Sequence, residues 1–116
     1  MTQNLPPFYL LIDAKRRLRI PLHDIMLLHG EKNYTNFFCK NRKKHLMSRT
    51  LKFFEKDLLS QGFCRVHRSS LINLAHIKEV DLDNDTVTLS NNTSVKISRR
   101  KRKAFLERLG DESSSN

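Results

Sequence analysis

Short apolar runs separated by polar turns fill the first part of the chain. Five such runs predict β-strands, at residues 8–12, 18–20, 25–28, 34–39 and 45–48. Runs of this length with polar punctuation are typical of strands rather than helices. The polar stretch 29–33 is expected to separate two of these strands. The pair 34–39 and 45–48 is expected to be antiparallel, because only a short turn, residues 40–43, joins them.

The spacing becomes helical after Thr50. Apolar residues recur there every three to four positions, which predicts a helix of about ten residues with Thr50 as N-cap and an end near Gly62. Leu51, Phe54, Leu58 and Leu59 form its apolar face. Phe54 is therefore expected to point into the core.

The second half of the chain returns to short strands. Residues 63–66 are extended, 71–72 form an apolar pair inside a polar loop, and 76–82, 86–89 and 94–97 are predicted strands, with turns at 81–85 and 91–92. Phe105, Leu106 and Leu109 mark one face of a final helix behind the N-cap Ser98. The pattern predicts one mostly β domain at residues 8–110, of short antiparallel sheets stacked with two short helices, between an N-terminal extension (1–7) and a flexible polar tail (111–116).

The net positive charge of the chain indicates what class of partner it binds. The chain has 22 Lys and Arg against 12 Asp and Glu, a formal net charge of +10. Such a surface attracts polyanions, with nucleic acid the first candidate, an anionic membrane the second and a basic domain without such a partner the third. No apolar run reaches the roughly 18 residues that would span a bilayer, and the N-terminus lacks a signal-peptide pattern. We expect a cytoplasmic protein that does not bind membranes.

Six cations cluster at the start of the final helix: Lys96, Arg99, Arg100, Lys101, Arg102 and Lys103. A helix N-terminus carries partial positive charge, so cations there oppose folding. Phosphates would be stabilised by both the side chains and the free backbone N–H groups. We therefore interpret this helix start as a phosphate-binding surface; the alternative is a solvated run of charges.

Two polar loops are further candidates for contacts with nucleic acid. The first holds His67, Arg68, Ser69 and Ser70, flanked by Arg65 and Asn73; Arg pairs with guanine, Asn with adenine, and Ser or His with phosphates or base edges. His67 could equally be a structural histidine. The second loop, which includes Lys32, Asn33 and Tyr34, offers a cation, an amide and a hydroxyl and is a weaker signal.

Catalytic and metal-binding patterns are missing from the sequence. The five histidines have no ligand-like spacing, and the acidic stretch 81–85 lacks the Gly and Glu of a calcium loop. We predict neither an enzyme nor a bound cofactor or metal. Cys39 and Cys64 are expected to be reduced packing residues, although a redox-sensitive Cys64 beside the His67 loop stays open. An RNA-binding or ribosome-associated module is the alternative function, but it needs exposed aromatics, and only Tyr34 fits that requirement.

The spaced motifs resemble one family. The run FCRVHRSSLIN (63–73), Ile77, VTL (87–89) and VKISRR (95–100), together with Asp24-Ile25, EKNY (31–34) and Thr50-Leu51, resemble the LytTR-type DNA-binding domain of bacterial response regulators. The resemblance covers residues 8–109. It implies that loops, and not a recognition helix, contact successive major grooves of double-stranded DNA to regulate transcription, with two molecules, and so a homodimer on DNA, on repeated half-sites.

The resemblance also implies roles for individual residues. Arg68 and Arg99 would contact bases, and Ser69, Arg100 and Lys101 would contact phosphates. The loop 32–35, which adds Thr35 to Lys32, Asn33 and Tyr34, would supply a third contact region. Family members usually carry an N-terminal receiver or membrane sensor, so we expect either a fragment or a free-standing regulator.

Overall fold

Ten strands and two α-helices make up the computed structural model, which describes residues 9–13, 15 and 18–114. In chain order the elements are β1 (Tyr9–Asp13), β2 (Leu18–Pro21), β3 (Ile25–Glu31), β4 (Tyr34–Cys39), β5 (Lys44–Met47), α1 (Leu51–Leu58), β6 (Phe63–His67), β7 (Ser70–Asn73), β8 (Ile77–Asp81), β9 (Thr86–Leu89), β10 (Ser94–Lys96) and α2 (Arg99–Ser114). This confirms the predicted fold class of antiparallel β-structure with two helices.

The strands form three antiparallel sheets. The largest has five strands in the order β5-β4-β3-β7-β6, and the others have three, β10-β9-β8, and two, β1-β2. In the large sheet β7 lies between β3 and β6. The hairpin β6–β7 therefore ends beside β3, which leads into the β3–β4 turn.

Apolar side chains cover both faces of the five-stranded sheet. One core joins the sheet to α1 and contains Leu28, Phe37, Phe54, Phe63 and Leu71 among its buried residues. The other joins the opposite face to β9, β10 and α2, with the buried residues Ile72, Val66, Val87, Ile97 and Phe105 among its members. Successive strand residues point to opposite faces, so neighbours such as Leu71 and Ile72 enter different cores.

Most predicted elements lie where the periodicity placed them. Strand β4 has the predicted bounds, and α1 begins directly after Thr50. The Thr50 side chain makes no capping hydrogen bond, although its backbone is extended as an N-cap requires. After Leu58 a 3₁₀ turn, Leu59–Gln61, continues to Gly62, whose φ of 87° reverses the chain. Phe54 is buried, as predicted.

The loop predicted around residues 71–72 is instead a strand in the middle of the sheet. All four residues of β7 are buried, and the strand pairs with both β3 and β6. Its polar ends Ser70 and Asn73 caused the error, since they interrupt the apolar run. Strand β3 also continues to Glu31 through part of the stretch predicted as a separator.

The final helix begins at Arg99, as predicted, but extends to Ser114. It thus continues four residues past Gly110, where the sequence predicts the start of the polar tail. Phe8, three residues of the turn after β1 (Ala14, Arg16 and Arg17), the N-terminal extension and residues 115–116 lie outside the described residues.

Candidate nucleic-acid interface

A two-residue turn, Arg68-Ser69, joins β6 to β7. His67 and Ser70 pair across its base, so the turn is a tight hairpin end and not an irregular loop. Arg68 is exposed, while His67 and Ser69 are half-buried. This geometry projects one arginine from the end of a buried two-stranded unit.

His67 and Ser69 hold each other across this turn. The Ser69 N–H donates to Nδ1 of His67 at 3.2 Å, and the Ser69 hydroxyl lies 2.9 Å from the same atom. In the bond from the Ser69 N–H, Nδ1 of His67 is the acceptor. His67 is thus a structural residue of its own turn.

The start of α2 is bound to the end of β6. The Ser98 N–H donates to the carbonyl oxygen of Val66 at 2.8 Å, one residue before His67. Ser98 Oγ accepts from the Lys101 N–H at 3.2 Å, which confirms Ser98 as the N-cap. The described first turn of α2 has no acidic residue. The positive charges of its side chains and the positive end of the helix dipole therefore reinforce each other.

The β3–β4 turn lies on the other side of the β6–β7 turn. Gly30 donates its N–H to the carbonyl oxygen of Ser69 at 2.9 Å, which joins the two turns through their backbones. Lys32 has a φ of 54°, and Lys32, Asn33 and Tyr34 are all exposed. A Cβ added at Gly30 would lie 3.0 Å from Cβ of Leu51, so this glycine lets the start of α1 approach the turn.

These contacts create one basic surface, defined as the β3–β4 turn, the β6–β7 turn and the start of α2. A groove on one side of Arg68 is lined by Lys32, Lys52, His67 and Ser69, among others. A groove on its other side is lined by Ser98, Arg100 and Lys101. Arg68 therefore stands between the two clusters that the sequence placed far apart.

Comparisons with known proteins identify the family of the chain. The sequence profile of the LytTr DNA-binding domain family matches residues 15–110. The chain belongs to the LytTr family. Its structure is similar, with a TM-score of 0.72 and 25% identity, to the LytTr DNA-binding domain of a protein described as a methyl-accepting/DNA response regulator from Bacillus cereus, over 80% of this chain and 87% of that one. No curated protein matches the chain. The family is one of DNA-binding domains and not of enzymes.

Two residues considered for DNA contact are structural in this LytTr domain. Thr35 is fully buried, and its hydroxyl donates to the carbonyl oxygen of Arg49 at 2.7 Å. Asn73 is buried as well; its amide donates to the carbonyl oxygen of Ile25 at 2.9 Å, and its Oδ1 accepts from the Ala75 N–H at 3.0 Å. Neither side chain can contact DNA in this conformation, and both expectations are corrected.

The two arginines expected to contact bases lie in different surroundings. Arg68 shares a groove with Arg100 and Lys101. Arg99 instead lines a groove along α2 with Arg102, Lys103, Leu106 and Glu107. Lys96 is exposed on β10, close in sequence to both grooves but lining neither. The structure thus brings Arg100, rather than Arg99, next to Arg68.

Sequence reasoning overlooked Lys52 in this LytTr domain. It is an exposed residue in the first turn of α1 and lines the groove that also contains Lys32. The cations at the start of α2 were interpreted as phosphate contacts because cations are unfavourable at a helix N-terminus. The same reasoning applies to Lys52, since the first turn of α1 also has no acidic residue.

Other chemistry finds little support among the described residues. They contain no group of three or more His, Cys, Asp or Glu side chains placed to hold a metal ion. Asp81 instead closes its own turn, with its pKa lowered chiefly by the hydrogen bond from the Asn84 side chain. Burial raises the pKa of both Cys39 and Cys64, which are free thiols in different cores. The protonated, enclosed Cys64 thiol disfavours the redox-sensing role. None of the described helices is both long enough and apolar enough to cross a membrane.

Proposed function

We propose that this LytTr domain recognises a specific double-stranded DNA sequence through the β6–β7 turn and the start of α2, each set into the major groove, and so regulates transcription in the cytoplasm. The observation that carries the proposal is the pair of backbone bonds, Gly30 to Ser69 and Ser98 to Val66, that join three basic elements into one surface. Rigid placement favours sequence recognition, because bidentate pairing with a base tolerates little displacement.

Separate roles follow for the residues of this surface. Arg68, at its centre, pairs with a base edge, as does Arg99 at the helix start. His67 and Ser69 support the turn and contact the DNA backbone together with Arg100, Lys101 and Lys96. The β3–β4 turn, through Lys32, Asn33 and Tyr34, contacts the adjacent groove. Two copies bind repeated half-sites, spaced by about one helical turn of DNA or a multiple of it.

Salt dependence tests the nucleic-acid interaction. With roughly four to seven phosphate contacts, the slope of log K against log salt on duplex DNA should lie between about −4 and −6. Selection from a random duplex pool should enrich one motif, and its scrambled version should bind more weakly. A flat salt dependence would contradict binding through phosphates.

Single-stranded RNA is the matched comparison for the alternative function. Among the described side chains, Tyr34 and Phe53 are the exposed aromatics, 47% and 46% accessible. The ring face of Phe53 already contacts a cation, since the Arg49 guanidinium lies 4.5 Å from its ring centroid. We therefore expect weaker binding to RNA. Equal or tighter binding to single-stranded RNA, with an equally steep slope, would favour an RNA-binding module instead.

A further inference from the structure

Arg65 lies beneath the β6–β7 turn and is bonded to it. Its Nε donates to the carbonyl oxygen of His67 at 2.9 Å, and its Nη2 donates to the carbonyl oxygen of Arg68. Its Nη1 donates to Oε1 of Glu55 on α1 at 2.5 Å. All three guanidinium nitrogens thus bond to the protein itself, and the side chain is only 18% accessible.

We infer that Arg65 and Glu55 are a positioning pair for the β6–β7 turn, and that neither is a DNA contact. The inference rests on the proposed function of that turn. An arginine that pairs with guanine must offer two free donors to the base edge. Arg65 uses one donor on each of its three guanidinium nitrogens to bond two turn carbonyls and a carboxylate. Arg68, in contrast, is exposed and makes no side-chain bond among the described contacts.

The pair acts through the backbone that carries Arg68. Arg68 lies within the two-residue turn and outside the strand pairing, and Arg65 bonds its carbonyl oxygen as well as that of His67 at the base of the turn. Glu55 orients the guanidinium from the neighbouring helix, because a charge-assisted bond fixes a long side chain that is otherwise mobile. The direction of Arg68 is thereby set before DNA arrives, which lowers the ordering cost of specific binding.

Electrostatics separates this role from simple attraction to DNA. The Glu55 carboxylate lies next to a groove that contains Lys32, Lys52 and Arg68. A negative charge there repels phosphates, so its removal should leave binding to scrambled DNA unchanged or tighter. Loss of the positioning pair should at the same time weaken binding to the preferred sequence. The two effects have opposite signs, whereas unfolding would weaken both.

Glu55→Ala tests the pair, with Asp57→Ala as the control. Asp57 is exposed on the same helix, carries the same charge and makes no bond among the described contacts. The probes are the duplex enriched from a random pool and its scrambled version. In Glu55→Ala the ratio of the two affinities should fall about tenfold, while scrambled binding matches Asp57→Ala. Glu55→Gln keeps an oxygen acceptor and should recover most of the ratio.

Amide hydrogen exchange tests the pair without DNA. The Ser69 N–H bonds to His67 Nδ1, and the Gly30 N–H bonds to the Ser69 carbonyl, so both amides report on the turn. Their exchange should accelerate several-fold in Glu55→Ala and remain unchanged in Asp57→Ala. Unchanged exchange of these amides in Glu55→Ala would overturn the inference, because Glu55 would then not order the turn.

The two proposals fail in different ways. If the wild-type domain enriches no duplex, the proposed function is wrong, and the exchange rates alone decide whether Glu55 orders the turn. If it enriches a duplex but Glu55→Ala keeps the full affinity ratio, sequence recognition stands and the positioning role is wrong.

Discussion

The backbone N–H of Ser98 donates to the carbonyl oxygen of Val66 at 2.8 Å. This bond holds the N-cap of α2 against the last residues of β6. The bond therefore fixes the position of the β6–β7 turn, with its arginine, relative to the cations of α2, although about 30 residues of chain separate them. Substitutions in the two elements should affect binding to the same stretch of DNA.

Base contacts and phosphate contacts should respond differently to truncation. Arg68→Ala should cost about 1–3 kcal/mol on the preferred duplex and much less on scrambled DNA, because a base contact carries the sequence information. Lys101→Ala should weaken both duplexes about equally and make the salt slope shallower by about one unit. Binding isotherms at several salt concentrations, with circular dichroism as a folding control, measure both effects. A full affinity ratio in Arg68→Ala would mean that the β6–β7 turn does not recognise sequence.

Arg99 and Arg100 provide a second comparison at the start of α2. Family resemblance assigns the base contact to Arg99, whereas Arg100 is the residue that shares a groove with Arg68. If the resemblance holds, Arg99→Ala should lower the affinity ratio by about tenfold and Arg100→Ala should weaken both duplexes alike. The same isotherms measure this, and the reverse result would move the base contact to Arg100.

Phe54 should be one of the most costly residues to truncate. It is 3% accessible and its ring meets Phe37 edge-on, with centroids 4.8 Å apart. Phe54→Ala should reduce the free energy of unfolding by about 3–5 kcal/mol. Phe53→Ala is the matched control, since its ring is 46% accessible, and it should cost about 1 kcal/mol or less. Urea denaturation of both variants measures the difference, and equal costs would contradict the assigned core face.

The β4–β5 turn contains an unfavourable backbone conformation. Arg42 has a φ of 62°, directly after Asn41 at 60°. Asn tolerates this region, whereas Arg there costs about 1 kcal/mol or more. Arg42→Gly should therefore raise the free energy of unfolding by about 1 kcal/mol, offset partly by the greater freedom of glycine in the unfolded chain.

Arg42→Ala serves as the control for this prediction. It removes the same charge without relieving the backbone, so its stability should stay close to that of the wild type. Thermal unfolding of the three proteins compares them. A gain of equal size in both variants would assign the effect to charge and not to φ.

Cys39 should make stability fall at alkaline pH. Burial, with a smaller contribution from the Asp24 charge, raises the pKa of its thiol from 9.0 to about 11. Between these two values the unfolded chain loses the thiol proton and the folded chain keeps it. Stability is therefore full below pH 9 and is lost as pH rises towards 11.

A comparison with Cys39→Ala isolates this contribution. Under reducing conditions, the difference in unfolding free energy between the wild type and the variant should shrink across that pH range, while Cys64 titrates equally in both. A difference that stays constant with pH would show that Cys39 does not have a raised pKa.

Local patterns were enough to predict many elements of this domain. Strand β4, the start of α1 and the start of α2 depend on residues near one another, through alternation, helical spacing and capping. The cations behind Ser98 also indicated a phosphate-binding helix start, because the helix dipole alone makes them unfavourable there. The spaced motifs were sufficient to identify the family.

Only the tertiary structure decided which polar residues belong to the interior. Asn73 looked like a base contact, but it bonds to the carbonyl oxygens of Leu22 and Ile25, 51 and 48 residues away in sequence. Thr35 is buried for the same kind of reason, since its hydroxyl donates to the carbonyl oxygen of Arg49. A polar side chain can be buried at little cost when distant backbone groups satisfy it, and such partners leave no local pattern in the sequence. The bond between Glu55 and Arg65 likewise depends on how α1 packs beside β6.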